Sequence, residues 1–332
     1  MKTGLRTLFI FLLLISASIS AQPIKLKFNN NGVFKIAQFT DTHIHAGEGG
    51  SQHVYDLITE VLNAEKPDLV ILTGDIVTEN SPEIIFGKLE EIFVANNTPW
   101  VTVLGNHDDE HDTPRNSVAE ILENLPYCLN NTMEGIKGES NFILPVKGKN
   151  SQTEALLYCF DSNAYSTLKN KIDGYGWFDI SQIDWYKKQS KYFTENNKGI
   201  PIPALAFFHI PLPEYNNVWE SADTKLVGVK NEDVCSPKIN TGMFAAMVEG
   251  GDVMGTFVGH DHVNDYIGVY FDIALAYGRA SGGSNSYGDL TPGSRIIVLN
   301  KGSRKFTTWI REKGGDIKFN CIYPDSFISE KK

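Results

Sequence analysis

Cysteine is scarce in this chain, with 4 among 332 residues. The four are widely spaced and match no known spacing of zinc ligands, which excludes a cysteine-rich zinc domain. In an exported protein they could form two disulfides, and free buried thiols fit the same spacing. The cysteines therefore predict neither a metal site nor a specific disulfide. They are Cys128, Cys159, Cys235 and Cys321.

Positive charge and long apolar stretches are also limited. Lys and Arg number 30 against 40 Asp and Glu, so the formal net charge is −10. This acidic balance lacks the electrostatic footprint that nonspecific nucleic-acid binding requires, and we expect no nucleic-acid partner. A hydrophobic content of 42% is too low for a polytopic membrane protein. There is no internal repeat or low-complexity linker, which predicts a single domain.

The amino-terminal segment has the character of a targeting sequence. Lys2 and Arg6 precede the apolar run LFIFLLLI at residues 8–15, and small residues follow as far as Ala21. This order is typical of a secretory signal peptide, and the run is too short to favour a transmembrane anchor. We therefore expect residues 1–21 to be removed and residues 22–332 to form one exported domain, secreted or periplasmic, with no stable membrane anchor.

Strand-like and helix-like segments alternate along the first half of the chain. Helical periodicity at 51–65 and 82–95 separates short apolar runs that are typical of buried strands. Such alternation favours parallel strands joined by crossover helices. The sequence predicts strands at 25–28, 34–40, 68–73, 99–104, 141–146, 155–161, 204–209, 253–258, 295–299 and 305–310, and further helices at 117–124, 181–196 and 241–249.

Five short motifs of metal-ligand residues stand directly after five of these apolar runs. Carboxyl ends of parallel strands meet in the crevice where α/β enzymes bind substrate, so these side chains should converge. The set contains Asp, Asn and His without thiols, which suits two divalent or trivalent ions of borderline hardness. This pattern predicts a two-metal hydrolase. The motifs are Asp41-Thr42-His43, Gly74-Asp75, Gly105-Asn106-His107-Asp108, His209 and Gly259-His260-Asp261-His262.

Taken singly, these residues have ordinary explanations. A lone His at a strand end, such as His209, is more often a surface or core histidine. Asp75 is a common turn former, and Asn106 suits a turn that needs positive φ. The joint occurrence decides between the two interpretations, because five of the eight histidines fall in these motifs. The metal site is therefore the favoured interpretation.

The order Asp-x-His, Gly-Asp, Gly-Asn-His-Asp, His and Gly-His-x-His resembles the calcineurin-like metallophosphoesterase superfamily. The resemblance implies an α/β fold, a four-layer α/β/β/α sandwich in which two mixed β-sheets are flanked by helices. It implies that Asp75 bridges two metal ions and that a hydroxide between them attacks phosphorus. The remaining ligands implied are Asp41, His43 and His262 for the first metal and Asn106, His209 and His260 for the second.

The same resemblance implies catalytic roles for the residues after Asn106. His107 would steady the phosphoryl oxygens and protonate the leaving alkoxide, an exchange that suits imidazole near neutral pH. Asp108 would orient His107. Elementary chemistry agrees with these implied roles, because two closely spaced cations need a shared carboxylate and strongly lower the pKa of bound water.

Longer matches at residues 207–215, 240–244, 251–265 and 277–279 resemble the small purple-acid-phosphatase-like branch. One departure is Thr78, which stands where purple enzymes have the tyrosine whose phenolate colours ferric iron. His43 likewise replaces a common glycine. Bound iron should therefore lack that colour, and the metal pair stays open among iron, manganese and zinc.

Substrate contacts follow less directly from the sequence. Glu214 and Tyr215 come soon after His209 and would form part of the cleft wall. Arg279 lies in a glycine-rich loop, where it could bind phosphate bidentately or be a solvated turn residue. Asn264 and Asp265 either hydrogen-bond the ligand residues or simply end a strand.

These observations predict an exported two-metal phosphohydrolase, a phosphatase-like enzyme that acts on a small phosphate ester. Phosphomonoester cleavage is the favoured reaction. Phosphodiester cleavage, of cyclic nucleotides or lipid head groups, is the alternative, because the same metal pair supports both reactions. A non-catalytic binding protein on the same scaffold is a further alternative. Loss of a ligand or of His107 would favour it, and none is lost.

Overall fold

Two six-stranded β-sheets pack face to face in the computed structural model, which describes residues 24–45, 51–282 and 288–328. The predicted signal peptide, residues 1–21, lies outside the described residues. The strands are β1 (Val33–Phe39), β2 (Leu69–Thr73), β3 (Trp100–Val103), β4 (Phe142–Lys147), β5 (Thr153–Cys159), β6 (Ala204–Phe207), β7 (Val253–Val258), β8 (Ile267–Tyr270), β9 (Ile273–Tyr277), β10 (Gly293–Asn300), β11 (Phe306–Glu312) and β12 (Ile317–Tyr323). The helices are α1 (Gln52–Glu65), α2 (Pro82–Ala95), α3 (Arg115–Glu123), α4 (Ile180–Asn196), α5 (Glu214–Glu220) and α6 (Met243–Gly250).

The first sheet has the order β12-β11-β10-β1-β2-β3. Strands β1, β2 and β3 run parallel, and β10 pairs antiparallel with β1. Helices α1, α2 and α3 cover its outer face through side chains such as Leu57, Phe86 and Val118. The apolar stripe of α1 that the sequence predicts is therefore the stripe that the helix buries.

The second sheet has the order β4-β5-β6-β7-β9-β8, with β5, β6, β7 and β9 parallel. Helices α4, α5 and α6 cover its outer face. Between the sheets, apolar residues such as Ile36, Leu205 and Phe257 form a core, and each such side chain contributes roughly 1.5–3 kcal/mol when fully buried. Two mixed sheets with helices on both outer faces make an α/β/β/α sandwich, which confirms the expected fold class.

Most element predictions agree with the structure within two residues, and α2 and β7 agree at both ends. The predicted strand at 25–28 is wrong, since only Lys27 forms an isolated bridge, to Lys147. Helix α5 and strands β8, β9 and β12 were missed. In β12 only Cys321 and Tyr323 are buried, so its pattern of apolar residues is weak.

All four cysteines carry free thiols, and Cys128, Cys159 and Cys321 are buried. Across the described residues no helix combines the length and apolar character that a membrane crossing requires.

Candidate metal centre

The predicted ligands gather where the carboxyl ends of strands from both sheets meet. Asp41 and His43 follow β1, Asp75 follows β2, and Asn106 follows β3. From the second sheet, the candidates His209, His260 and His262 follow β6 and β7. Since β1–β3 are mutually parallel, as are β6 and β7, each sheet delivers its ligands at one edge.

Two groups of ligand atoms share one carboxylate. The atoms of each group lie within 4.8 Å of one another, and Asp75 belongs to both. A metal about 2 Å from each ligand atom places neighbouring ligand atoms about 3 Å apart. Asp75 Oδ2 lies 3.1 Å from His209 Nε2, and Asp41 Oδ1 lies 3.5 Å from His262 Nε2. The first group is Asp41, His43, Asp75 and His262, and the second is Asp75, His209 and His260.

Asn106 offers an amide oxygen that could serve as a further metal ligand. Asn106 is buried, and its Oδ1 has no hydrogen-bond partner among the described residues. Its Nδ2 donates to Tyr165 Oη at 3.3 Å, which orients the amide. A buried acceptor without a partner costs roughly 1–3 kcal/mol, so a cation beside Oδ1 would remove that penalty. The residues present therefore fit a metal at this position.

His209 is held in the tautomer that a metal ligand needs. Its Nδ1 donates to the carbonyl oxygen of Thr73 at 2.7 Å, which leaves the lone pair on Nε2. That Nε2 faces Asp75 and lies 3.2 Å from Nδ1 of His260. Burial opposes protonation of His209, but the charges of Asp75 and Asp41 outweigh it and raise its pKa to about 9. A metal would take the place of that proton.

The other charges prepare the centre for cations. Burial disfavours the Asp75 carboxylate, but His209 and the other neighbouring imidazoles outweigh it and hold its pKa well below the usual range. Burial lowers the pKa of His43 to about 4. Burial, together with the charge of His209, lowers the pKa of His260 to about 3. The centre thus presents ionised Asp75 and neutral His43 and His260, the forms that bind metal, while the proton on His209 is one that a metal would displace.

Several ligand residues adopt a backbone conformation that non-glycine residues seldom use. Asp41, His43, Asp75 and His260 have φ of 50°, 43°, 52° and 75°. Such conformations cost of order 1–3 kcal/mol each and persist when their surroundings impose them. Here the Asp41 N–H donates to the carbonyl of Gly74, and the His260 N–H donates to the Asp41 carboxylate. Strain of this kind concentrates at functional sites.

Two glycines of the motifs are required by close packing. A Cβ at Gly105 would lie 2.1 Å from Asp75 Oδ1, and one at Gly259 would lie 1.9 Å from Thr40 Oγ1. Both distances are far below contact distance, so no larger residue fits without moving Asp75 or Thr40. The glycines therefore let neighbouring strand ends approach closely enough for Asp75 to lie in both groups.

His107 lies beside the ligands without joining either group. Its Nε2 is 3.9 Å from Asp75 Oδ2, and its side chain is 35% exposed. Its backbone N–H donates to Asp75 Oδ1 at 2.9 Å, which fixes the residue over the shared carboxylate. The imidazole is therefore placed between the candidate metal centre and solvent.

Asp108 does not orient His107, contrary to the expectation from resemblance. Its carboxylate accepts the backbone N–H groups of Asp75, Ile76 and Val77, and also that of Gly105, at 2.7–3.0 Å. Four charge-assisted hydrogen bonds lock the turn that carries the shared ligand.

Glu110 instead contacts the His107 ring. Its Oε2 lies against Nδ1 of His107, and its Oε1 accepts from Tyr165 Oη. Burial opposes ionisation of Glu110, but the hydrogen bonds from Tyr165 and His107 outweigh it and lower its pKa. The sequence carries one signal for this contact, a carboxylate three residues after His107.

Arg279 does not line the cleft. It is 1% exposed, and its guanidinium donates to Asp265 Oδ2, to Glu312 Oε1 at 2.7 Å and to the carbonyl of Thr291 at 2.7 Å. This cation links acceptors beside β8 and β10 and in β11, and its burial keeps the guanidinium in the interior. The expected substrate contact does not fit this position.

Glu214 and Tyr215 begin α5, shortly after His209 in the chain. Tyr215 is completely buried in the outer helical layer, where its hydroxyl lies 2.9 Å from Thr256 Oγ1, so it does not form the expected cleft wall. Glu214 accepts from Asn240 Nδ2 at 2.7 Å, and its role in substrate binding stays a prediction.

Asn264 and Asp265 bind a neighbouring loop rather than the ligand residues. Asn264 Oδ1 accepts the backbone N–H of Asn231 at 2.9 Å, and Asp265 Oδ1 accepts that of Val229 at 2.9 Å. These bonds attach the segment 227–235 to the turn that carries His260 and His262.

Two tyrosines form a wall of the centre that the sequence did not predict. The Tyr175 ring meets His260 edge-on at a centroid distance of 4.3 Å, and Tyr165 stacks against Tyr175. Behind them lies a cavity of about 450 Å³ that Tyr165, Trp177 and Lys137 help to line. The wall arises because an isolated bridge brings Tyr165 and Tyr175 together, a pairing that periodicity does not reveal.

Comparisons with known proteins agree with this geometry. Residues 34–264 match a family described as Calcineurin-like phosphoesterase. The chain is 33% identical to "Probable inactive purple acid phosphatase 29" of Arabidopsis thaliana, over 87% of this chain and 82% of that protein. It is also 33% identical to "Phosphatase DCR2" of Saccharomyces cerevisiae, over 87% of this chain and 55% of that protein. A dimetal phosphatase from Danio rerio shares the fold with a TM-score of 0.59 and 11% identity, covering 86% of this chain and 98% of its own.

Proposed function

Since the chain belongs to the calcineurin-like phosphoesterase family, we propose that it is an exported, two-metal phosphohydrolase that cleaves phosphomonoesters. The observation that carries the proposal is the membership of Asp75 in two groups of ligand atoms where the strand ends of the two sheets meet. A carboxylate shared in this way could hold two cations close together, as two-metal phosphoryl transfer requires. Both relatives named above are called phosphatases, which supports the monoester class.

Seven residues would hold the metals. Bound cations at this centre supply Lewis acidity toward phosphoryl oxygens and lower the pKa of water. Oxygen and imidazole ligands without thiolate suit iron, manganese or zinc. Thr78 has a hydroxyl, 3.4 Å from His45 Nδ1, in place of a phenol, so an iron-loaded protein should lack the colour of a phenolate at this position. The proposed ligands are Asp41, His43, Asp75, Asn106, His209, His260 and His262.

His107 is the proposed proton donor to the leaving oxygen. It is partly exposed and fixed over Asp75, so a phosphate ester that reaches the centre also reaches its Nε2. General acid catalysis of this kind is typically worth roughly 10²–10⁴-fold in rate.

The alternative is a non-catalytic binding protein, and the word "inactive" in the plant relative's name favours it. Against it stands the presence in this chain of all seven candidate ligands and His107. Turnover is therefore the property to measure first.

The test combines elemental analysis of purified protein with hydrolysis of matched aryl phosphate monoesters and diesters. His107→Ala should retain the metals and lose roughly 10²–10⁴-fold in turnover. Asp75→Asn should lose metal as well. His111→Ala is the matched control, because His111 is an exposed histidine of the same loop and lies outside both groups.

Three outcomes would contradict the proposal. Absence of metal after reconstitution would remove the centre. A strong preference for diesters would replace monoester cleavage by phosphodiester cleavage. Full metal content without turnover on either ester would favour the binding protein.

Export is supported by the charged, apolar and small segments in order from Met1 to Ala21. Expression in a bacterial host, followed by amino-terminal sequencing of the periplasmic protein, tests it. A mature chain that starts near Gln22 is expected, and an uncleaved chain in the cytoplasm would contradict export.

A further inference from the structure

We infer that Glu110 is a positioning residue that holds His107 so that Nε2 faces the candidate metal centre and the site of proton transfer. The inference rests on the proposed function, because it assigns a task within that reaction. It concerns a residue for which the sequence motifs specify no role.

The geometry of His107 defines which nitrogen exchanges a proton. Nδ1 lies against Glu110 Oε2, while Nε2 is directed at Asp75 and the metal ligands. An ionised carboxylate only accepts hydrogen bonds, so Nδ1 carries a proton and Nε2 becomes the exchanging atom. The same arrangement of carboxylate, imidazole and reacting atom fixes the tautomer of a catalytic histidine in hydrolases.

Glu110 is itself held in place. Its second oxygen accepts from the Tyr165 hydroxyl, and that hydroxyl also lies 3.3 Å from Asn106 Nδ2. The carboxylate is therefore fixed at both oxygens, although its side chain is 36% exposed. The chain of contacts links a proposed metal ligand to His107 through Tyr165 and Glu110.

The neighbouring acidic residues are already engaged elsewhere. Asp108 accepts four backbone N–H groups around Asp75. Asp109 forms an ion pair with Arg115 at 2.8 Å. Glu110 is thus the acidic residue of this run whose carboxylate meets the His107 ring.

The proton balance follows from this arrangement. As a bond forms between phosphorus and the oxygen of an attacking water, the bond to the leaving oxygen breaks, the Nε2 proton of the His107 imidazolium passes to that oxygen, and the ring becomes neutral. The Nδ1 proton stays between the ring and Glu110. The proton lost by the attacking water passes to solvent, and solvent returns one proton to Nε2, so the cycle consumes one water and leaves His107 unchanged. Glu110 stabilises the imidazolium at the start of the cycle and keeps the ring aligned throughout.

Leaving groups distinguish positioning from a merely structural role. An alkyl phosphate needs a proton on its leaving oxygen, whereas a nitrophenyl phosphate departs with little help. Glu110→Gln should therefore lower kcat about 10²-fold on the alkyl ester and less than about tenfold on the aryl ester. Tyr165→Phe should have a smaller effect in the same direction. Asp112→Asn removes one exposed carboxylate of the same loop and should leave kcat unchanged on both the alkyl and the aryl ester.

A second readout does not depend on activity. In metal-free protein labelled with ¹⁵N-histidine, the Nδ1 proton of His107 should give a far-downfield resonance because it is shared with a carboxylate. The signal is assigned by its loss in His107→Gln. It should disappear in Glu110→Gln and persist in Asp112→Asn.

The two readouts separate the two proposals. If the unaltered protein cleaves neither ester, the phosphohydrolase fails, and the resonance alone decides whether Glu110 holds His107. Persistence of the resonance in Glu110→Gln would overturn the inference. Equal loss of turnover on both esters, or a loss of metal in Glu110→Gln, would also overturn it, because either result indicates a structural role.

Discussion

Replacing Arg115 with methionine should lower the free energy of unfolding by about 3 kcal/mol at neutral pH. Arg115 binds the Asp161 carboxylate through two parallel hydrogen bonds, from Nε at 2.9 Å and from Nη2 at 2.6 Å. Asp161 is completely buried just beyond β5, whereas Arg115 begins α3 beside the first sheet. The pair therefore joins elements of the two sheets near the candidate centre, and the substitution leaves a buried carboxylate without its counter-charge.

The magnitude follows from the contacts that remain. Breaking a buried ion pair by removing one partner costs roughly 3–5 kcal/mol. The lower end applies, because the Arg115 side chain is 14% exposed and Asp161 still accepts the backbone N–H groups of Glu139 and Asn163. Arg115 also donates to the carbonyl of Gly105 at 2.7 Å, directly before a proposed ligand.

Dependence on pH supplies a second measurement. Burial raises the pKa of Asp161, but the charge and hydrogen bonds of Arg115 outweigh it and hold the pKa below its usual value. A depressed carboxyl pKa stabilises the fold above the unfolded value near 3.9, and that stabilisation is lost as the pH falls through the folded pKa. In Arg115→Met the buried carboxyl instead gains a proton readily. The difference in stability between the two proteins should therefore shrink toward pH 4.

Urea unfolding of four proteins measures these quantities. The set is the unaltered chain, Arg115→Met, Asp161→Asn and the double variant, and the cycle isolates the pair energy. The free energy of unfolding of Arg115→Lys should lie between those of the unaltered chain and Arg115→Met, because an ammonium keeps the charge but lacks the planar fork of the guanidinium. A loss below about 1 kcal/mol in Arg115→Met, or a difference that does not vary with pH, would refute the reasoning.

Three further predictions concern single side chains. Gly259→Ala should abolish metal binding in elemental analysis, because its Cβ would collide with Thr40 at 1.9 Å. The control Gly87→Ala, which has open space on α2, should be neutral or stabilising, and retained metal in Gly259→Ala would contradict the packing argument. Arg279→Ala should cost roughly 3–5 kcal/mol of stability and leave KM for an aryl phosphate unchanged; a raised KM would instead indicate that Arg279 contacts the substrate. The Cys159 thiol should react with a thiol reagent only after unfolding, since it is buried and burial raises its pKa, and rapid labelling of the native protein would count against that burial.

The fold class and the family could be predicted because both depend on patterns that are local in the chain. Apolar runs of four to seven residues, each followed by a polar motif, specify parallel strands with ligands at their ends. The comparisons confirm the family, and the two flanked sheets confirm the sandwich. The seven proposed ligands converge for the same reason, although only metal analysis tests their role.

The roles of Asp108 and Glu110 could not be separated in this way. Both are acidic residues close to His107, and adjacency favoured Asp108. The backbone turn after β2 instead captures Asp108 through the N–H groups of Ile76 and Val77, which leaves Glu110 to meet the ring. Which carboxylate faces an imidazole depends on loop geometry, and that geometry is set by residues some thirty positions apart.

Arg279 shows the same limit for a charged residue in a glycine-rich loop. Composition favoured a solvated or phosphate-binding side chain, yet Asp265 and Glu312 hold it in the interior. These partners lie 14 and 33 residues away along the chain.

By itself, then, the sequence determined the strand-end motifs, the sandwich and the candidate metal ligands, because each depends on residue type and spacing along one strand and its following turn. Only the tertiary structure decided that Glu110 rather than Asp108 meets His107, and that Arg279 and Tyr215 are buried. Those outcomes depend on the close packing of strand ends and on pairings between distant segments, which no local pattern encodes.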